Sequence, residues 1–221
     1  AVQDALTVPA ANPFFNADFL RLLESCGCIT AANGWRARHV WIEQDGEPVF
    51  FMPVYEKNHS WGEFVFDQRW AQAYRQHGMP YYPKWVTAIP FTPSVGPRWW
   101  LKAGADGAAC LRFALEQMQL QLRAGQGSGW HLLFADGLPP GFDSASLLQR
   151  RDTQFHWRNQ GYSGFEDFLA QLKSRKRKNI RRERERVRQQ GVELRTCEGR
   201  DLNEADWRQF YRCYENTYQV R

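Results

Sequence analysis

Nowhere does the chain run through the ~20 consecutive apolar residues that a membrane-spanning helix requires. Its opening, AVQDALTVPAANPFF, lacks both the basic start and the apolar centre of a secretory signal. A soluble, cytoplasmic protein is therefore the expectation, with an N-terminus trimmed of its methionine. Cysteine is sparse: five residues, Cys26, Cys28, Cys110, Cys197 and Cys213, form an odd set with no CxxC pair and no histidine at zinc-ligand spacing. Reduced thiols and no metal site follow from that count. The CGC at 26–28 is read as a helix stop at Gly27 in preference to a redox pair. HExxH, P-loop and dinucleotide-binding fingerprints are missing, as is any recognisable Ser/His/Asp order, which removes the reactions those motifs carry.

What is present supports a folded chain. Hydrophobic residues make up 43% of the 221 positions and aromatics 15%, enough apolar surface to offset the entropy of ordering. Positive charge is concentrated in LKSRKRKNIRRERERVRQQG, residues 172–191, where ten basic residues between Lys173 and Arg188 meet only Glu183 and Glu185. Removing those ten and two from totals of 29 and 24 leaves 19 basic against 22 acidic residues elsewhere. The basicity thus belongs to one segment, and such a segment is either a solvated helix or a site for an anion.

Local patterns give an alternating order of elements. NPFFNADFLRLLESCG predicts a capped helix over about 16–26, and DG between the apolar runs of ARHVWIEQDGEPVFFMPVYEK predicts a hairpin with strands near 37–44 and 47–56. GEFVFD, 62–67, alternates as a third strand with Phe64 and Phe66 on one face and Glu63, Val65 and Asp67 on the other. A helix up to Gly78, a strand near 85–89, and a helix over about 106–124 with Leu111, Leu115, Met118 and Leu122 inward come next. Beyond the flexible GQGSG, the pattern predicts the strand WHLLFAD, a short helix in SASLLQR, and a strand in RDTQFHWRNQG. Two helices, a strand VELRT and a last helix NEADWRQFYRCYENTY complete the series. The expected fold is therefore α/β (α+β) with a mixed sheet, divided at about 1–150 and 151–221.

The passage GYSGFEDFLAQLKSRKRKNIRRERERVRQQGVELRTCEGRDLNEADWRQFYRCYENTY resembles the start of the second domain of FemAB-type acyltransferases. NPFFNADFLRLLESCG, HSWGEFVFDQRWAQAY, YYPKWVTAIPFTPSVGPR and QFHWRNQGY are similar to a FemAB-like subgroup of N-acyltransferases. That resemblance covers nearly the whole chain. It implies two GNAT-like domains, the second only begun here, with the carrier-binding turn of the second domain expected downstream of Arg221. It also implies transfer of an acyl or aminoacyl group from acyl-CoA or aminoacyl-tRNA to an amine acceptor, in cell-wall (peptidoglycan-type) metabolism.

Acyl transfer to an amine needs a base, oxyanion donors and a site that brings both substrates together. Glu63 and Asp67 are the candidate bases if their face lines a cleft, and merely solvated if it meets water; His59 is a further candidate with no stronger claim. Tyr81, Tyr82, Lys84 and Arg98 flank a Pro-rich loop and either bind an anionic, extended substrate or divide into packed rings and solvated cations. GADG before the 106–124 helix is read as a capped turn because it lacks the full R/Q-x-x-G-x-G/A donor-loop pattern. On the basic helix only Leu172, Ile180 and Val187 are apolar, so packing does not account for its charge. Lys173, Lys176, Lys178, Arg177 and Arg181 lack an acidic partner along the helix and are assigned to phosphate, on tRNA or on a nucleotide-linked acceptor. The alternative is a non-enzymatic nucleic-acid or polyanion binder acting through residues 173–188 alone; the absence of an RNP-like run or recognition helix counts against it.

Overall fold

The structure, a computed structural model, describes residues 12–219. The chain divides into two compact units, one up to Arg150 and one from Arg151 onward. Among the described residues no helix is long and apolar enough to cross a membrane.

Helix α1 (Ala17–Ser25) begins at Asn16, whose side chain accepts a bond from the Asp18 amide, and ends where Gly27 adopts φ 76°. Both flanking cysteines are exposed free thiols, as the capped-turn reading of CGC requires. The long hairpin of the sequence is split. Strands β2 (Val40–Gln44) and β3 (Glu47–Met52) pair around Asp45 and Gly46, both at positive φ, in the manner of a DG turn. Outside them β1 (Trp35–Ala37) pairs with β4 (Tyr55–Lys57) in a different sheet. Pro53 sits at the break, where it has no amide to donate and cannot continue the ladder.

Helix α2 (Gln68–Gln76), β5 (Lys84–Thr87), β6 (Trp100–Leu101), α3 (Gly107–Gln121) and β7 (Trp130–Leu132) complete the first unit. The larger sheet has the order β1-β4-β5-β7, antiparallel except for the parallel β5–β7 pair; β2-β3-β6 form a second, antiparallel sheet. The apolar run VFFM of β3 is covered on both faces. Phe50 and Met52 pack with Leu111, Ala114 and Met118 of α3, whereas Phe51 packs with Leu20 of α1 and with Phe15. Asp106 caps α3 by accepting from the Ala109 amide at 2.9 Å, so GADG is a capped turn.

Three expected strands are not formed. Residues 62–67 run as irregular chain, and so do 151–161 and 192–196. In the second unit, α4 (Phe165–Ala170), α5 (Ser174–Gln189) and α6 (Glu204–Gln219) are joined by irregular segments and a short 3-10 turn at Gly199–Asp201. SASLLQR forms only a 3-10 turn, Ser144–Ser146. An apolar alternation becomes a strand only where a partner ladder accepts it, and Phe155 and Leu194 stay exposed instead.

Candidate functional site

The larger sheet shows a row of side chains that hydrophobic patterning alone would not place there. Trp35, Lys57 and Lys84 are neighbours across β1, β4 and β5, and all three are buried. Like charges directly opposite each other on adjacent strands repel, so the two lysines need compensation. It comes from segment 58–67, folded over this face. Lys57 Nζ donates to the Trp61 carbonyl at 3.0 Å and lies 3.6 Å from the Trp35 ring centre. Lys84 Nζ donates to Glu63 Oε2 at 2.7 Å and to Asp67 Oδ2.

No strand forms here, yet the two faces of GEFVFD divide as the alternation indicates, and the carboxylate face is the one that turns inward. Glu63 and Asp67 are only 3% and 2% exposed, while Phe64 and Phe66 stand 55% and 75% exposed. Gly62 at φ 82° and Phe64 at φ 58° turn the chain so that the carboxylates reach Lys84. A β-carbon on Gly62 would lie 2.7 Å from the Phe91 ring, so this close approach admits only glycine. The Phe91 amide donates to the Gly62 carbonyl at 3.1 Å and ties the segment to the Pro-rich loop.

Tyr81 and Tyr82 join the same cluster. Tyr81 donates to Asp67 Oδ2 at 2.7 Å, and Tyr82 shares a 2.8 Å hydroxyl bond with Ser60. His131 on β7 meets the Tyr81 ring edge-on at 6.1 Å. Glu63 Oε1 and Asp67 Oδ1 are buried with no hydrogen-bond partner among the described residues. Five residues expected at a site, Glu63, Asp67, Tyr81, Tyr82 and Lys84, therefore meet in one place. Arg98 does not join them. Its buried guanidinium donates to the carbonyls of Leu133, Gly96, Pro97 and Ser94, which makes it a brace for the Pro-rich loop. His59 lies beside the cluster, its Nδ1 accepting from the Trp61 amide at 3.2 Å.

The cluster separates its two carboxyls electrostatically. Burial raises the Glu63 pKa above the ordinary glutamate value, and Lys84 offsets this only in part. Burial acts on Asp67 in the same direction, but hydrogen bonds from Lys84 and Tyr81 outweigh it and bring its pKa below the ordinary value. Burial, with Lys84 adding to it, lowers His131 to about 4, so its ring is neutral near pH 7. Burial and the Lys84 charge bring Lys57 down to about 7 against the pull of Glu63.

Lys57, Ser60 and His131 were not singled out from the sequence. The usable signal was parity: Lys57 falls in step with the buried Tyr55, and His131 interrupts the apolar run WHLLF. The low Lys57 value has a measurable consequence. Between about pH 7 and the unfolded lysine value of about 10.4, the unfolded chain binds the proton that folded Lys57 has released, so stability rises with pH. Lys57→Met should remove that rise, whose limiting slope is about 1.4 kcal/mol per pH unit for one proton. Parallel urea-unfolding profiles for the two proteins across this range would show that Lys57 remains charged.

The basic helix lies in the second unit. Contrary to the expectation of unpaired charge, Arg181 pairs with Glu166 of α4, and Arg177 donates to the carbonyls of Ala170 at 3.1 Å and Leu172 at 3.5 Å. The Arg184 guanidinium sits 4.2 Å from the Phe165 ring centre. Along α5 itself, Glu185 pairs with Arg188 at 3.6 Å. Two of the five cations assigned to phosphate are thus engaged inside the unit, while Lys173, Lys176 and Lys178 are exposed.

No curated protein and no solved structure matches the chain. The FemAB-like family pattern, described as peptidoglycan biosynthesis/recognition, matches residues 2–221. With nearly the whole length covered by that match, the chain belongs to the FemAB-like family.

Proposed function

We propose that the chain serves acyl transfer to an amine in peptidoglycan metabolism, with the Lys84–Glu63–Asp67 cluster at its reacting centre. One observation carries this reading: two buried carboxyls, 2% and 3% exposed, share Lys84 yet are driven to opposite sides of their ordinary pKa values. Such divergence is how one site supplies a proton acceptor beside a permanently ionised partner. Glu63, whose Oε1 is unpartnered, is the base; Asp67 holds Lys84 and Tyr81 in position.

In the step itself the acceptor nitrogen forms a C–N bond to the donor carbonyl carbon, and Glu63 takes the proton that nitrogen loses. The C–O bond of an aminoacyl ester, or the C–S bond of an acyl thioester, then breaks. Its electrons leave on oxygen or sulfur, which takes up the proton Glu63 accepted and so restores the carboxylate. Displacement of segment 58–67 is required for the acceptor to reach Glu63, since the carboxylate is covered in the resting arrangement. FemAB-like membership supports this substrate class.

That same burial favours a second reading, in which the three charges are a latch that only fastens segment 58–67 to the sheet. The proposal is tested by incubating the protein with aminoacyl-tRNA or acyl-CoA and a peptidoglycan-precursor amine, and following amide formation by mass. If no donor yields an amide, the transfer reading fails.

With aminoacyl-tRNA as donor, reversing Lys173, Lys176 and Lys178 to Glu should flatten the slope of log K against log[salt] by roughly two to three units. The exposed lysines carry this effect, because Arg177 and Arg181 already have partners. An unchanged slope would make α5 a solvated helix.

A further inference from the structure

The outward side of segment 58–67 has no part in the cluster beneath it. Trp61 is 79% exposed, and Phe64, Phe66 and Trp70 follow within the next nine residues, each more than half exposed. Phe91, next to Gly62, adds a fifth exposed ring from the Pro-rich loop. Scattered apolar residues are ordinary on a protein surface, but this many large rings on one short stretch mark a surface that meets something.

The rings are also held in place. Beneath them the Trp61 carbonyl accepts from Lys57, the Gly62 carbonyl accepts from the Phe91 amide, and Glu63 is bonded to Lys84. Phe64 and Phe91 both adopt positive φ, 58° and 59°, a conformation that bulky residues rarely enter and that costs of order 1–3 kcal/mol each. These bonds fix the backbone from Trp61 to Glu63 and at Phe91.

Charge identifies the partner. Residues 58–79 contain two carboxylates, Glu63 and Asp67, and both are buried. The two arginines of that stretch, Arg69 and Arg75, are exposed, and residues 90–97 carry no charge. Two stretches that present aromatic rings and arginines with no exposed carboxylate of their own fit the headgroup boundary of an anionic bilayer. Tryptophan prefers that boundary, Phe is buried in it, and cations are drawn to its negative potential.

We propose that residues 61–75, with Phe91, form a docking surface for an anionic lipid bilayer. The proposal is independent of the acyl-transfer reading. It is tested by co-sedimenting the full chain with phosphatidylcholine vesicles and with vesicles containing phosphatidylglycerol. Binding is expected with phosphatidylglycerol and should fall by roughly tenfold or more in Trp61→Ser/Phe66→Ser, which removes two rings. Arg69→Gln and Arg75→Gln should each lower it roughly fivefold at low salt. All four side chains are exposed, and circular dichroism of each variant checks that the fold is kept. As a second measurement, Trp61→Phe/Trp70→Phe should keep binding but lose part of the quenching of tryptophan emission by brominated lipid. Failure to sediment with phosphatidylglycerol vesicles overturns the proposal. So does binding that ignores the ring and arginine changes but disappears when Lys173, Lys176 and Lys178 are neutralised, since the contact would then be through α5. Vesicle-independent binding to a soluble glycan, abolished by the ring changes, would likewise assign the surface to another partner.

Discussion

Lys84→Met is expected to destabilise the first unit by roughly 3–5 kcal/mol at neutral pH, the range found when one partner of a buried ion pair is removed. Lys84 is fully buried and binds both Glu63 and Asp67. Without it, two carboxyls that are 3% and 2% exposed face each other with no cation but Lys57, which burial has brought down to about 7. The direction of the pH dependence should also reverse. In the wild type, the lowered Asp67 pKa contributes stability that is present above the unfolded aspartate value, about 3.9, and lost as pH falls through the folded value. In the variant, burial is opposed only by the Tyr81 bond to Asp67 and the Lys57 charge beside Glu63, so both pKa values move up. Stability is then greatest where both are protonated and falls as pH rises.

Hydrogen exchange of the β4 and β5 amides, compared at about pH 4.5 and about pH 7.5, reads this locally. Adding Glu63→Gln and Asp67→Asn to Lys84→Met should recover much of the loss, because neutral amides leave no uncompensated charge. A single variant as stable as the wild type at neutral pH would mean that water reaches the cluster and that its charges are screened.

The route from sequence to this cluster shows what local patterns can and cannot reveal. Helices α1, α3, α5 and α6 were legible because their caps and spacing are local: Asn16 and Asp106 cap with their own side chains, and Leu111 and Met118 fall on one face of α3. The DG turn of the β2–β3 hairpin was equally plain. Segment 62–67 was not. Its alternation of Phe with Glu, Val and Asp is what a half-buried strand would show, and the usual preference would bury the phenylalanines. The opposite face went inward because Lys84, itself placed by the β5 ladder, is a buried charge that must be paired. That requirement comes from a single residue 21 positions from Glu63 and 17 from Asp67, beyond the reach of any periodicity argument.

The residues of the cluster were legible as types but not in their grouping. Glu63, Asp67, Tyr81, Tyr82 and Lys84 were chosen as bases and substrate binders in separate stretches, and the fold joins them. Arg98, chosen by the same reasoning, was drawn to three carbonyls of the loop it was expected to serve and to that of Leu133. Sequence offers no means of telling these outcomes apart, since both put a cation beside a Pro-rich turn. Lys57 was missed for the complementary reason. A lysine at the end of a strand is ordinarily a solvated edge residue, and only the neighbouring Trp35 and Lys84 make it a buried amine.

Glu63→Gln is expected to lower kcat by about 10²-fold or more while leaving the fold intact, as removal of a general base does. The glutamine keeps the shape and can still accept from Lys84, but it cannot take a proton from the acceptor nitrogen. Stability should hold or rise, because burial disfavours the ionised Glu63 and the amide carries no charge to bury. The pH profile distinguishes a base from a latch. A base must be ionised, so kcat/KM should fall on the acid side through the raised Glu63 pKa, and that limb should vanish in the variant. Asp67→Asn should divide its effect differently. Asp67 accepts from both Lys84 and Tyr81, so its loss should reduce stability more than Glu63→Gln does and displace the Lys84 amine, with turnover falling as a result of lost positioning. If Glu63→Gln turns over at the wild-type rate with the acid limb unchanged, Glu63 accepts no proton in the reaction. The three buried charges then act only to fasten segment 58–67 to the sheet.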